Sequence, residues 1–131
     1  MQRFQQYIDG RFEDGSATFE SLDPATGQPW ALMPEARSDD VERAVAAAER
    51  AFFAPEWANL TATARGKLLL RLADLVQEAA PRLAALETRD TGKIIRETSA
   101  QGAYVSDYYR YYAGLADKSE GANDRQSRNG A

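Results

Sequence analysis

The spacing of apolar residues changes at Ser38, and this change constrains the fold more than any other feature of the sequence. Before Ser38, short apolar runs alternate with turn sequences; the runs are FQQYI, RFE, ATFESL and WALMP. After Ser38, apolar residues recur three and four positions apart, as they do in amphipathic helices. The pattern predicts a mostly helical α/β chain in which short antiparallel N-terminal strands precede three to four α-helices.

Turn residues set the limits of the strands. Asp9 and Gly10 suit the positive φ angles of a tight hairpin turn, so the runs on either side of them are expected to pair. A second Asp-Gly pair at 14–15 and the segment DPATGQP at 23–29 mark two further turns. We therefore expect a small antiparallel unit over residues 4–33.

Capping residues and prolines divide the helical part. Ser38 is expected to cap a first helix that ends before Pro55, and Thr61 is expected to cap the next one. Pro81 predicts a break and restart within that helix, because proline removes one backbone donor. Gly92 is expected to end it as a C-terminal cap.

A final helix is predicted from Ile94 or Arg96 to about Lys118, and it carries five of the six tyrosines. Tyrosines at helical spacing are more often core or interface residues than catalytic ones. The position of Asp90 is unusual, since a carboxylate near a helix C-terminus lies at the unfavourable end of the helix dipole. A bound cation, or a role in capping the next helix, would explain it.

Composition excludes several kinds of chemistry. The 131 residues contain no cysteine and no histidine, which excludes disulfides, thiolate nucleophiles, the usual zinc sites and imidazole acid-base catalysis. A net charge of -4, with basic and acidic residues interleaved, disfavours nucleic-acid binding. No apolar run is long enough to span a membrane, and the start of the chain has no apolar core like that of a signal peptide, so we expect a cytoplasmic protein with no membrane partner.

Read in order, six segments resemble the N-terminal region of the NAD(P)-dependent aldehyde dehydrogenase superfamily. They are YIDGRFEDG, SLDPATGQP, SDDVERAVAAAERAF followed by W, LTATARGKLLLRLADLVQ, LAALETRDTGK and YYRYYAGLADKSEG. Their order and spacing over residues 7–121 carry the resemblance. It implies that residues 1–121 are the N-terminal part of a coenzyme-binding domain and that residues 122–131 are a disordered tail outside the family.

The resemblance also implies what the chain lacks. The family's nucleophilic cysteine, general-base glutamate and dinucleotide motif lie downstream, so no residue here is expected to be catalytic or to bind the coenzyme. NAD or NADP is the cofactor of the parent family and is not expected to bind this chain. The expected function is that of an N-terminal segment of an aldehyde-oxidising oxidoreductase, inactive alone. The alternative is a non-catalytic binding module that docks onto a full-length homologue.

Two sets of site residues follow from the resemblance alone. The main-chain carbonyls of Ser21 and Leu22 and the side chain of Asp90 correspond to part of a monovalent cation site in the family, which here would hold Na⁺ or K⁺ weakly. Tyr104 and Tyr108 correspond to residues that line the aldehyde entrance tunnel. The partners expected are a full-length aldehyde dehydrogenase or a second copy of the chain.

Overall fold

The computed structural model describes residues 1–118, where five short strands precede four helices. The strands are β1 (Gln2–Arg3), β2 (Gln6–Ile8), β3 (Arg11–Glu13), β4 (Ala17–Asp23) and β5 (Gln28–Glu35). The helices are α1 (Ser38–Phe53), α2 (Pro55–Ala58), α3 (Ala62–Thr91) and α4 (Ile95–Leu115). The predicted order of strands and helices is confirmed. The predicted tail at 122–131 lies outside the described residues.

The strands form two small sheets. β2 and β3 are an antiparallel hairpin, and its turn residues Asp9 and Gly10 have φ angles of 52° and 78°, as the sequence predicted. β4 pairs antiparallel with β5, with a register irregularity between Ser21 and Leu22. β1 lies on the other side of β5 and pairs with it in parallel, a pairing that the sequence did not predict.

Helix α1 contacts the β2–β3 hairpin through its polar side. The Arg43 guanidinium donates to Glu13 at 2.9 Å and to Asp40 at 2.7 Å, and Arg50 donates to Asp9 at 3.1 Å. Ala47 lies on the same side of the helix and is buried. Ionic contacts and one small residue therefore attach this helix to the strands.

The apolar side of α1 is not covered. Val41, Val45 and Phe52 are 54%, 61% and 65% exposed, although the spacing of these residues is that of a buried helix face.

Ser38 is the first residue of α1 rather than its cap, which differs from the prediction. The backbone N–H of Arg37 instead donates to the Asp40 carboxylate at 2.9 Å, which fixes the start of the helix.

Helix α3 is continuous through Pro81, so the predicted break is wrong. Ala80 and Ala84 on either side of the proline are buried. A Cβ added to Gly102 of α4 would lie 2.9 Å from the Ala80 Cβ, so the two backbones approach closely beside the proline. This packing on both sides of Pro81 keeps the helix intact despite the missing hydrogen-bond donor.

Small residues make the contact between α3 and α4. The buried positions are Gly66, Ala73, Ala80 and Ala84 on α3, and Thr98, Ser106 and Ala113 on α4. Helices with small residues at their contact approach closely, which leaves the larger side chains of both helices on their outer surfaces. The two caps of α3 are as predicted: Thr61 Oγ1 accepts from the Ala64 N–H at 3.1 Å, and Gly92 has a φ of 76°.

Within residues 1–118, no helix is both long and apolar enough to cross a membrane.

Candidate functional site

Asp90 lies at the end of α3, where this helix meets the β4–β5 sheet. Its Oδ1 accepts a hydrogen bond from the Ser21 hydroxyl at 2.5 Å and another from the Trp30 indole N–H at 3.3 Å. Trp30 is only 5% exposed, so its indole N–H needs a partner, and the carboxylate supplies one. The carboxylate therefore joins β4 and β5 to the helix.

A second residue of α3 reinforces this junction. The Arg89 guanidinium lies over the Trp30 ring, 5.2 Å from its centroid, and its Nε is 3.9 Å from a carboxylate oxygen of Asp23. Phe4 packs edge-on against the same indole at 5.8 Å between ring centroids. Trp30 is thus held by an aromatic ring, a cation and a carboxylate, which orients the residues around it.

The turn after β4 is fitted to the end of α3 by Gly92. With a φ of 76°, this residue adopts a conformation that side-chain-bearing residues rarely take, and an added Cβ would lie 3.1 Å from Pro24 Cγ. Its N–H donates to the Thr88 carbonyl at 3.0 Å. A glycine is required here both for the helix cap and for the approach of the turn that follows Asp23.

The structure brings two of the three predicted residues, Ser21 and Asp90, together, through the Ser21 hydroxyl rather than through its carbonyl. Ser21 and Asp90 are in direct contact, and Leu22 follows Ser21 at the register irregularity of β4. Leu22 lies opposite Pro29, which has no backbone N–H, so the Leu22 carbonyl receives no hydrogen bond from the residue directly across the sheet. Carboxylate and carbonyl oxygens are suitable ligands for a hard cation.

These residues fit a monovalent cation only in part. Within residues 1–118 there is no group of three or more acidic side chains that could hold a metal ion. Asp90 Oδ1 is already shared between two donors, the Ser21 hydroxyl and the Trp30 indole. The cation site therefore stays a prediction, and in the described residues Asp90 has a defined structural role as a hydrogen-bond acceptor.

Tyr104 and Tyr108 form a pair one helical turn apart on α4. Their hydroxyl oxygens are 3.2 Å apart and their rings meet edge to face, with centroids 4.8 Å apart. The hydrogen bond with Tyr104 raises the pKa of Tyr108 above its ordinary value, because a neutral Tyr108 hydroxyl can donate to the Tyr104 oxygen and the phenolate cannot. The rings of Tyr108 and Tyr112 stack further along, at 6.4 Å.

The tyrosine pair is exposed. Tyr104 and Tyr108 are 61% and 49% exposed, and Tyr111 and Tyr112 beside them are 63% and 57% exposed. The groove next to Tyr104 is lined by Val76, Leu83, Val105 and neighbouring residues of α3 and α4. The tunnel role of Tyr104 and Tyr108 stays a prediction.

The two predicted sets of residues lie in different places. Asp90 lines a shallow groove with Phe4, Trp30 and Met33, whereas Tyr104 lines the groove between α3 and α4. Glu87 contributes to both grooves. The described residues therefore present two separate candidate surfaces rather than one combined site.

Sequence reasoning missed two residues that organise these surfaces. Trp30 is 60 positions from its partner Asp90, and no local pattern links them. Ser106 is fully buried and donates to the Ala73 carbonyl at 2.8 Å, between the two long helices. Ser106 lies four positions after Gly102 and eight after Thr98, so these three small residues share one side of α4. This spacing of small residues could have indicated the side of α4 that packs against another helix.

Comparison with known proteins identifies the family. The family model described as "Aldehyde dehydrogenase family" matches residues 12–131. The chain is 70% identical over 122 residues to (Z)-2-((N-methylformamido)methylene)-5-hydroxybutyrolactone dehydrogenase of Acinetobacter baylyi, covering 93% of this chain and 25% of that protein. It is 42% identical over 124 residues to aldehyde dehydrogenase 1 of Tanacetum cinerariifolium, covering 92% of this chain and 25% of that one.

Solved structures agree with this result. An NAD-dependent aldehyde dehydrogenase from Sinorhizobium meliloti superimposes with a TM-score of 0.85 at 33% identity, covering 92% of this chain and 24% of that one. A double mutant of betaine aldehyde dehydrogenase from Staphylococcus aureus, in complex with NAD⁺, gives a TM-score of 0.85 at 38% identity, covering 92% and 25%. The chain thus spans about a quarter of the length of the relatives it matches.

Proposed function

The chain belongs to the aldehyde dehydrogenase family, and we propose that it is the structural N-terminal segment of an NAD(P)-dependent enzyme that oxidises an aldehyde to a carboxylic acid. The observation that carries the proposal is the 70% identity to a dehydrogenase over 93% of this chain but only 25% of that protein. Such a match supports a shared parent enzyme rather than a separate function for the segment. In this proposal the segment supplies the scaffold and the remaining part supplies the chemistry.

The sequence supports this division between a structural segment and a catalytic remainder. Aldehyde oxidation in the family uses a cysteine nucleophile, and none of the 131 residues is a cysteine. A Staphylococcus aureus relative in complex with NAD⁺ carries a chemically modified cysteine. We therefore expect no aldehyde oxidation by this chain alone, and we assign NAD or NADP binding to the rest of the parent enzyme.

The surfaces of the described residues support a scaffold role. The α3–α4 contact is close and hydrogen-bonded, with Ser106 fully buried. The larger apolar side chains lie on outer faces, as on α1, where Val41, Val45 and Phe52 are exposed. A soluble domain that folds for its own sake buries such residues, whereas a segment of a larger subunit presents them to the remainder.

The two candidate surfaces acquire roles within the parent enzyme. Asp90, with the carbonyls of Ser21 and Leu22, would provide part of the coordination of a Na⁺ or K⁺ ion whose other ligands come from elsewhere in the subunit. Tyr104 and Tyr108 would line the path of the aldehyde. A cytoplasmic location is proposed together with these roles.

The Acinetobacter relative also suggests a substrate class for the parent enzyme. A 5-hydroxybutyrolactone carries its hydroxyl and its ring oxygen on one carbon, so it is the ring-closed form of a chain with an aldehyde and a carboxylic acid. We propose that the parent enzyme acts on an aldehyde of this kind: a short carboxylic acid that also carries an aldehyde group and closes to a hydroxylactone. The support is the 70% identity to that dehydrogenase.

Complementation in trans tests the proposal. The Acinetobacter enzyme is prepared without its matching N-terminal quarter and refolded in three samples: alone, with this chain, and with heat-aggregated chain as the control. Each sample then receives NAD⁺ and a carboxylic acid that also carries an aldehyde group. Reduced coenzyme is expected only in the sample with folded chain. Turnover by this chain alone would overturn the proposal, and so would failure of the folded chain to restore activity while the enzyme's own N-terminal quarter restores it.

A second candidate function is a non-catalytic binding module for a complete homologue. The exposed apolar residues of α1, α3 and α4 favour it, because contiguous apolar faces mark partner sites. The same assay distinguishes the two functions: a module of this kind would co-purify with the intact Acinetobacter enzyme, whereas a scaffold segment would bind only the shortened one.

A further inference from the structure

Helix α3 carries two parallel stripes of opposite character. One stripe is apolar and the other is charged, with the same spacing and an offset of one residue. The apolar stripe is Leu68, Leu72, Leu75, Ala79 and Leu83, and the charged stripe is Lys67, Arg71, Asp74, Glu78 and Arg82. An offset of one position is a rotation of about 100° around the helix, so the two stripes face different directions.

Helix α4 continues each stripe on the corresponding side. On the charged side, Arg110 donates to Asp74 at 3.1 Å across the two helices. On the apolar side, Val76 and Leu83 of α3 line a groove with Tyr104 and Val105 of α4. The pair of helices therefore has one charged face and one apolar face.

The apolar face is comparable in area to one side of a standard protein interface. Its eight principal side chains are each between 38% and 61% exposed; they are Leu68, Leu72, Leu75, Leu83, Tyr104, Val105, Tyr108 and Tyr112. Side chains of this size at this exposure offer on the order of 600–800 Å² of apolar surface. A standard protein interface buries about 800 Å² per partner.

Charge does not oppose pairing of this face with itself. The one acidic residue lining the groove, Glu87, is neutralised by Lys93, whose Nζ lies 2.7 Å from it. Residues 119–131, SEGANDRQSRNGA, contain no side chain more apolar than alanine. A second copy offers a face of equal area and the same apolar character.

We propose that two copies of this chain associate through the apolar face of α3 and α4 to form a two-fold symmetric arrangement of four helices. The association is closed, since each copy uses the same face, and it stops at two. It does not depend on the proposed function, because it concerns the segment when the rest of an enzyme is not bound.

Sedimentation over a dilution series tests the proposal with two matched double variants. Leu72→Gln with Leu75→Gln alters the apolar stripe, and Arg71→Gln with Glu78→Gln alters the charged stripe; neither changes the net charge. The natural chain and the charged-stripe variant are expected to be dimers that dissociate on dilution. The apolar-stripe variant is expected to dimerise at least tenfold more weakly. A natural chain that is monomeric throughout, a series of species larger than a dimer, or equal dimerisation of the two variants would each overturn the proposal.

Cross-linking provides a test that does not require the double variants to fold. The chain has no cysteine, so a single introduced thiol is unique. Leu72→Cys, on the apolar face, is expected to give a covalent dimer with a short dithiol-reactive linker, and Arg71→Cys, one position away, is expected to give several-fold less. Equal yields from the two variants would contradict the assigned face.

Discussion

Ser106 of α4 donates a hydrogen bond to the Ala73 carbonyl of α3 at 2.8 Å, from a position that solvent does not reach. Arg110 donates to the same serine hydroxyl at 2.6 Å, within α4, and to Asp74 of α3 at 3.1 Å, so two hydrogen bonds join one turn of each helix. This junction holds the helix pair together while leaving its leucines and tyrosines on the outside.

Replacing Ser106 by alanine removes both of its hydrogen bonds and should lower the free energy of unfolding by about 0.5–1.5 kcal/mol for each, the usual net value of a hydrogen bond. Denaturant unfolding followed by circular dichroism measures the change. Ser99→Ala, at an exposed position of the same helix, serves as the control and should have little effect. Equal effects at the two positions would show that the buried bond contributes nothing.

Two glycines of α4 should respond in opposite ways to alanine. Gly114 has no atom within 4 Å of an added Cβ, so Gly114→Ala should stabilise the chain by about 0.5–1 kcal/mol through helix propensity. Gly102→Ala places its Cβ 2.9 Å from that of Ala80 and should be net destabilising, since overpacking typically costs about 1–3 kcal/mol. Thermal midpoints of the two variants provide the comparison, and a rise for both would refute the close contact at Gly102.

The start of α1 should make stability depend on acid pH. The hydrogen bond from the Arg37 N–H, and then the bond from Arg43, lower the pKa of Asp40 below its ordinary value. A lowered pKa in the folded state means that the stabilisation is present above the unfolded pKa of about 3.9 and is lost as the pH falls through the folded value. Asp40→Asn should therefore be less stable than the natural chain near neutral pH, and the difference should shrink towards pH ~3. A difference that is constant with pH would argue against the ionised carboxylate.

Removal of the Asp90 side chain should loosen the junction between the sheet and α3. Asp90→Ala leaves the indole N–H of the buried Trp30 without its acceptor, and an unsatisfied buried donor costs about 1–3 kcal/mol. The tryptophan fluorescence maximum should shift to longer wavelength if water reaches the indole. Asp90→Asn, which keeps an acceptor oxygen, should retain most of the stability. If the two variants lose equal stability, the charge of Asp90 matters more than its hydrogen bonds, as a bound cation would require.

Local chemistry predicted much of the fold. The Asp9–Gly10 turn, the Thr61 cap and the Gly92 cap depend on neighbours within a few residues, and the structure confirms all three. The continuity of α3 through Pro81 could not be predicted from the proline alone, because the close packing of Ala80 against Gly102 of α4 beside it is a contact between distant parts of the chain. The β1–β5 pairing could not be predicted either, since a strand of two residues carries no periodic signal.

The candidate site was less accessible to sequence reasoning. The approach of Ser21 to Asp90 came from the family resemblance, while their shared partner Trp30 follows only from the folded arrangement. The outward apolar faces of α1 and α3 have the spacing of core residues, and nothing local distinguishes a face that is covered within the chain from one that is not. Coverage depends on which other segments are present.

A stoichiometric titration measures whether this chain acts as the structural segment of an aldehyde dehydrogenase. Increasing amounts of the chain are added to a fixed amount of the Acinetobacter enzyme that lacks its matching N-terminal quarter, and NAD⁺ reduction with an aldehyde acid is followed at each ratio. Activity is expected to rise from the blank and to reach a plateau at one chain per subunit. Activity that stays at the blank at every ratio, while the enzyme's own N-terminal quarter restores turnover under the same conditions, would contradict it.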